Sequence, residues 1–141
     1  MKLSAKIEYA FLAMLELAMR YDRDEPVCIR DICDPHAIPS HYLVQILAQL
    51  KGAGLVFATR GTQGGYQLAR PPAEISLGEV FYVMDGPRFI GDEHEDTSPV
   101  ARVLHKTLQK VGDSQRSQLN GISFGELADR SRGKVEGMYY I

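Results

Sequence analysis

The stretch from residue 29 to residue 70 leaves this chain little freedom in how to fold. Tyr42, Leu43, Ile46, Leu47 and Leu50 recur at spacings of three and four, which makes one buried stripe on an amphipathic helix. Pro39 is expected in the first turn of that helix, where a missing N–H costs nothing, with Ser40 as its cap. Gly52 and Gly54 end it. Ahead of it, residues 29–33 form a short helix and residues 34–38 a turn. Behind it, residues 55–59 read as a strand, Arg60-Gly-Thr-Gln-Gly-Gly65 as a turn, and residues 66–70 as the returning strand. The order helix, turn, helix, hairpin is that of a winged helix-turn-helix.

The buried stripe decides what the second helix shows to the outside. His41, Val44, Gln45, Ala48 and Gln49 are left facing outward, with Lys51 at the flank. Small and amide side chains beside one cation suit a DNA major groove better than plain solvent. Ser40, at the start of the helix, and Tyr42, in the stripe beside His41, are also expected among the DNA-binding residues. In the wing, Gly61, Gly64 and Gly65 are expected to tolerate positive φ and to let backbone approach another surface. Arg60 at the base is the residue to enter a minor groove, since narrow A·T-rich grooves attract arginine. Thr62, Gln63 and Tyr66 complete the wing. Lys2 and Lys6 stand at the front of the first helix, within reach of a phosphate, although taken alone they read equally well as two solvated lysines.

Charge supports this assignment by its distribution rather than its sum. The net charge is −2 over 141 residues, which by itself speaks mildly against nucleic acid. From 29 to 70, however, Arg30, Lys51, Arg60 and Arg70 face only Asp31 and Asp34, a local +2. From 74 to 96 there are seven acids and only Arg88, a local −6. A local patch is what steers association.

The remaining elements follow in order. Ser4 caps a first helix running to about Arg20, with Ile7, Ala10, Phe11, Met14, Leu15, Leu17, Ala18 and Tyr21 in its stripe. Residues 21–26 are a polar loop, and 27–29 a short strand for the wing. Ser76-Leu-Gly-Glu79 is a capping box, in which Glu79 reaches back to the cap amide. Its helix buries Leu77, Val80, Phe81 and Met84, and stops near Asp85-Gly86. A loop carrying Asp92-Glu-His-Glu-Asp96 leads to a longer helix, capped by Thr97 or Ser98 with Pro99 at its first position, ending about Asn120. Val100, Val103, Leu104, Leu108 and Val111 form its apolar stripe, the mark of a dimerisation helix. Ser123-Phe-Gly-Glu126 opens a short closing helix with Leu127 and Ala128 inward. The expected division is 1–86 for the winged helix-turn-helix domain and following short helix, 87–98 for an acidic loop, 99–130 for the dimerisation and closing helices, and an unassigned tail over 131–141. The fold class is mainly α with a small β-wing.

Composition excludes several alternatives. No apolar run reaches the ~20 residues of a membrane span, and Lys6, Glu8 and Glu16 interrupt the N-terminus, so no secretory signal is evident. The two cysteines, Cys28 and Cys33, show no disulfide pattern and fit a reducing cytoplasm. Cys33 falls at an inward position and reads as a buried structural residue; Cys28 is the more exposed, with only weak support for a redox role. An enzyme would need convergent polar groups in a pocket, and residues 92–96, with His105 as a neighbour, read as a solvated acidic loop. No metal-ligand spacing is diagnostic. The competing reading is a metal- or protein-binding sensor module that uses that loop and has lost DNA contact.

Lined up, these parts resemble the Rrf-type winged-helix transcription regulators, a family of iron–sulfur, nitric-oxide-sensing and cysteine-metabolism regulators. The resemblance rests on Leu3-Ser-Ala-Lys-Ile-Glu-Tyr-Ala10, Ile38-Pro-Ser-His-Tyr-Leu-Val-Gln-Ile-Leu47, Gly54-Leu-Val56, Arg60-Gly-Thr-Gln-Gly-Gly-Tyr66, Ile75-Ser-Leu-Gly-Glu-Val80 and Ile122-Ser-Phe-Gly-Glu-Leu127. It covers roughly residues 1 to 128. It implies a homodimer with crossed long helices, two winged helices on a palindromic site in double-stranded DNA, and an effector or protein partner of unknown identity. Many members carry three cluster-ligating cysteines ahead of the long helix. This chain has none there, with Ser98-Pro-Val100 where Cys-Pro-Val is frequent, so the expected cofactor is none. Val44 replaces an acidic residue common in the family, and the long helix is about one turn longer than usual.

Overall fold

The computed structural model describes residues 3–86 and 98–139. Helix α1 spans Ala5–Met19, and the Ser4 hydroxyl accepts from the Ile7 amide at 3.3 Å, as an N-cap should. Helix α2 is Ile29–Cys33 and α3 is Ser40–Gly52, joined through a 3₁₀ turn at Asp34–His36 and Ala37 in the left-handed region at φ 51°. Strands β1 (Val56–Thr59) and β2 (Gly65–Leu68) pair antiparallel, with Val56 opposite Leu68 and Thr59 opposite Gly65. A third short segment joins them: Val27 and Tyr66 exchange both backbone hydrogen bonds at 2.9 Å. Helix α4 is Leu77–Asp85, α5 is Pro99–Asn120 and α6 is Phe124–Tyr139. Among the described residues no helix is long and apolar enough to cross a membrane.

One core holds the first half together. Ala10, Ala13 and Met14 of α1, Ile32 of α2, Leu43, Ile46, Leu47 and Leu50 of α3, and Val80 of α4 are all essentially out of solvent. Alanines on α1 let α3 and α4 approach it closely. Removing each large aliphatic side chain from water contributes about 1.5–3 kcal/mol, so this cluster fixes how α3 is presented. Phe124 of α6, completely buried, closes the same core from the far end of the chain.

Several local expectations are corrected. Pro39 precedes α3 as its N-cap residue, in an extended conformation, and its carbonyl accepts from Tyr42 and Leu43 at 3.0 Å. Ser40 is therefore the first helical residue and makes no capping bond; a side-chain cap acts from the extended residue before the helix. Tyr21 leaves the α1 stripe, because α1 stops at Met19 and Tyr21 enters an exposed 3₁₀ turn. Glu79 does not reach back to complete a capping box. The Ser76 hydroxyl accepts from the Glu79 amide at 3.1 Å, while the Glu79 carboxylate pairs with Arg70 at the end of the wing. Only Gly61 of the three wing glycines has positive φ, at 113°. Gly64 and Gly65 are glycine for clearance: a Cβ there would run into the carbonyl oxygens of Thr59 and Val27 respectively.

The closing helix is not short. α6 runs 16 residues, through most of the stretch left unassigned by sequence. It is held from outside: Ala128 is buried, Leu127 half-buried, and Arg132 donates to the Met19 carbonyl at 3.1 Å and that of Ala18 at 3.4 Å, at the C-terminal end of α1.

Candidate nucleic-acid interface

The geometry of the interface begins beneath it. His36, in the turn between α2 and α3, meets Glu16 of α1 at 2.8 Å, and Glu16 also takes Arg20 at 2.6 Å. The Ile38 amide donates to the Cys33 carbonyl at 3.1 Å. These contacts set the angle at which α3 leaves the turn. Burial pushes the Cys33 thiol up from its ordinary pKa, and the adjacent Asp34 carboxylate adds to the effect. Cys33 is thus a neutral core residue, while Cys28 is exposed.

On α3 the inward row is Leu43, Ile46, Leu47 and Leu50, and the outward row is His41, Val44, Gln45, Ala48 and Gln49, all exposed. Ser40 and Lys51 are exposed at its two ends. Val44 keeps 44% of its surface in the open, the one large apolar side chain of that row. Such a row offers amide groups for base edges and a branched apolar group for a thymine methyl. Tyr42 is half-buried, edge-on to Tyr9 of α1 with ring centroids 5.7 Å apart, and the His41 ring lies 6.5 Å from it.

Tyr9 is a supporting residue that the sequence reading passed over. It stands one turn beyond Lys6, itself half-buried on α1, and the i, i+3 spacing was the available signal. Lys2 lies outside the described residues, as do residues 92–96 of the acidic loop.

The wing sits beside α3. Arg60, Gly61, Thr62 and Gln63 are exposed at its tip, while Gly64, Gly65 and Tyr66 are half-buried where it meets Val27. The Gly64 amide donates to the Gly61 carbonyl at 3.0 Å, which tightens the turn and leaves Arg60 outside it. Among the described residues no group of three His, Cys, Asp or Glu side chains is placed to hold a metal ion.

A second region stands apart from this one. Helix α5 packs on α4 through its C-terminal part, where Gly112 and Leu119 are buried and a Cβ on Gly78 would strike the Asn120 side chain. Its N-terminal part is uncovered: Val100, Val103, Leu104 and Val111 keep 80%, 68%, 54% and 54% of their surface exposed, and Leu108 is half-buried. Between α4 and α5 lies a cleft of about 400 Å³.

Residues 3–130 match the Rrf2 family, described as an iron-dependent transcriptional regulator. The chain is 32% identical to the HTH-type transcriptional regulator CymR of Bacillus subtilis, over all of both chains. It is 38% identical to the HTH-type transcriptional regulator IscR of Aliivibrio salmonicida, covering 90% of this chain and 77% of that one. Among solved structures, T. potens IscR superposes with a TM-score of 0.78 at 32% identity, covering 93% of this chain and 88% of the other. B. subtilis CymR superposes with a TM-score of 0.77 at 31% identity, covering 92% and 98%. The chain therefore belongs to the Rrf2 family, and is a winged-helix, DNA-binding transcription regulator rather than an enzyme.

Proposed function

We propose that the chain acts in the cytoplasm as a homodimer that reads a palindromic operator through α3 and the wing, and that it does so without an iron–sulfur cluster. The observation that carries the DNA reading is the exposed row His41, Val44, Gln45 and Gln49, set on a helix whose opposite row is completely buried. A rigid helix with such a face enters a major groove with its leading residues on base edges. In this arrangement His41, Val44 and Gln45 read bases, and Ser40, Tyr42, Gln49 and Lys51 border them. Arg60 enters the neighbouring minor groove, carried by Gly61, Thr62, Gln63, Gly64, Gly65 and Tyr66. Lys6 and Lys2 hold phosphates.

Two half-sites follow from two copies. The apolar stripe of α5, up to 80% exposed on single residues, supports dimerisation through Val100, Val103, Leu104, Leu108 and Val111. The donor chemistry does not fit a cluster. Cluster irons require thiolates, usually four, and the whole chain has two cysteines. One of them, Cys33, is buried in the core with its thiol held protonated.

The test is an electrophoretic mobility shift on the promoter region of the protein's own gene at stated salt. Gln45→Ala should lose about 1–3 kcal/mol of operator affinity, the value of one bidentate contact to adenine. Binding to random DNA should be nearly unchanged, and operator binding by the parent should be indifferent to chelators. Equal loss on operator and random DNA would remove Gln45 from base reading.

A further inference from the structure

The outer face of the wing carries an aromatic ring that the core does not use. Successive side chains of a strand point to opposite faces, so Val56 enters the core while Phe57 lies outside, with 44% of its surface exposed. Gln67 stands opposite Phe57 on the same face. This face meets the end of α1 across a cleft of about 430 Å³, within the size range of small-ligand sites. Buried Leu17 and Leu68 form its floor, and Tyr21, 37% exposed, brings a second aromatic ring to it.

The charges that line the cleft are three carboxylates, Asp22, Asp24 and Glu25, against one guanidinium, Arg20. Arg20 is committed to Glu16, donating to its carboxylate at 2.6 Å and its carbonyl at 3.4 Å. Asp24 accepts from Gln67 Nε2 at 3.4 Å, a bond that runs from the turn to the wing. Asp22 and Glu25 are exposed and have no ion-pair partner among the described residues. Arg23 lines the neighbouring hollow with Glu25 and Asp31, not this cleft.

That combination selects a class of ligand. The excess of carboxylate repels anions, and no group of three His, Cys, Asp or Glu side chains among the described residues is placed to hold a metal ion. An ammonium group gains from the face of Tyr or Phe and makes charge-assisted hydrogen bonds to carboxylates. Methylene groups suit the aromatic rings and the leucine floor. A chain of methylenes between ammonium groups matches both parts of the lining.

We infer that the cleft between the end of α1 and the outer face of the wing binds a linear aliphatic diamine or polyamine. Its ammonium groups pair with Asp22, Asp24 and Glu25, and its methylenes lie against Tyr21 and Phe57. A ligand seated there reinforces the span now made by the Gln67–Asp24 bond and braces the wing, which carries Arg60. Occupancy therefore strengthens operator binding. That coupling rests on the DNA reading above; the site itself does not.

The test titrates the DNA-free full chain with spermidine by calorimetry, with hexanediol as the neutral control. Spermidine should bind, more weakly as salt rises, and hexanediol should not. Phe57→Ala, and separately the pair Asp22→Asn with Glu25→Gln, should each lose about tenfold in spermidine affinity, with the circular dichroism of the parent retained. Absence of spermidine binding, equal binding of hexanediol, or variants that bind as tightly as the parent overturn the site. In mobility shifts, spermidine should raise the operator affinity of the parent more than that of Phe57→Ala, a comparison in which the amine's own effect on DNA cancels. An equal response of the two overturns the bracing of the wing. A parent that binds spermidine but no operator overturns the DNA reading and leaves the site standing.

Discussion

Helices α3 and α5 are both amphipathic by the same spacing rule, and they end in opposite circumstances. Leu43, Leu47 and Leu50 of α3 are completely buried, while Val100, Val103 and Leu104 of α5 keep more than half their surface in solvent. An apolar stripe states that a helix needs a partner and is silent about which molecule supplies it. For α3 the partners are α1, α2 and α4 of the same chain. The described chain leaves the α5 stripe uncovered.

Substitutions can break this contrast or sharpen it. The largest effect is expected from Leu104→Glu, since a charge is costly at a buried interface. Operator binding should fall by roughly two orders of magnitude or more, the avidity lost when two linked half-sites become one, and sedimentation should show a monomer. The winged helix should keep its circular dichroism; if it unfolds instead, the arm and the core are not separate units. Next comes Leu47→Ala, which should destabilise by about 2–5 kcal/mol in chemical denaturation, as for other fully buried leucines. Leu108→Ala, assayed at concentrations where the parent is monomeric, should cost far less.

The two serine caps sharpen the comparison further. The Ser76 and Ser98 hydroxyls each accept from the amide three residues on, at 3.1 Å. Ser76→Ala should cost about 0.5–2 kcal/mol of global stability. Ser98→Ala should instead show mainly as faster amide exchange in the first turn of α5, because that turn opens without the core. The smallest effect concerns Cys33. Its folded pKa is raised, so its contribution to stability is fully present below the unfolded thiol value of about 8.5 and is lost as pH rises through the folded value. Denaturation midpoints of the parent should decline at alkaline pH, and Cys33→Ala should flatten that decline. Alkylation should reach Cys28 first.

Where a residue's role follows from spacing, the sequence disclosed it. The inward and outward rows of α3, the Ser4 cap and the reach of α5 follow from periodicity and cap chemistry, whereas cap chemistry alone left Thr97 and Ser98 as alternatives for α5 and the structure selects Ser98. Where a role depends on what lies across the fold, the sequence was mute. Nothing near Gly65 announces that the Val27 carbonyl occupies the space a Cβ would need. Nothing near Glu79 announces that Arg70 would claim its carboxylate. The length of α6 was hidden for the same reason. Gly133 and Gly137 weaken its intrinsic helicity, and the helix is carried by contacts to α1, more than a hundred residues earlier. At the interface, the exposed face of α3 was legible, whereas Tyr9 emerged only from its ring contact with Tyr42.

The bond from Arg132 to the end of α1 has a consequence for how the protein is made. Synthesis delivers α1 first, at a pace of about 5–20 residues per second, and the guanidinium that satisfies its last carbonyls arrives 113 residues after Met19. Phe124, the largest fully buried side chain among the described residues, is similarly late. Until Phe124 and Arg132 have been made, the nascent winged helix therefore has an open seam, and those two residues both close that seam and finish the first helix.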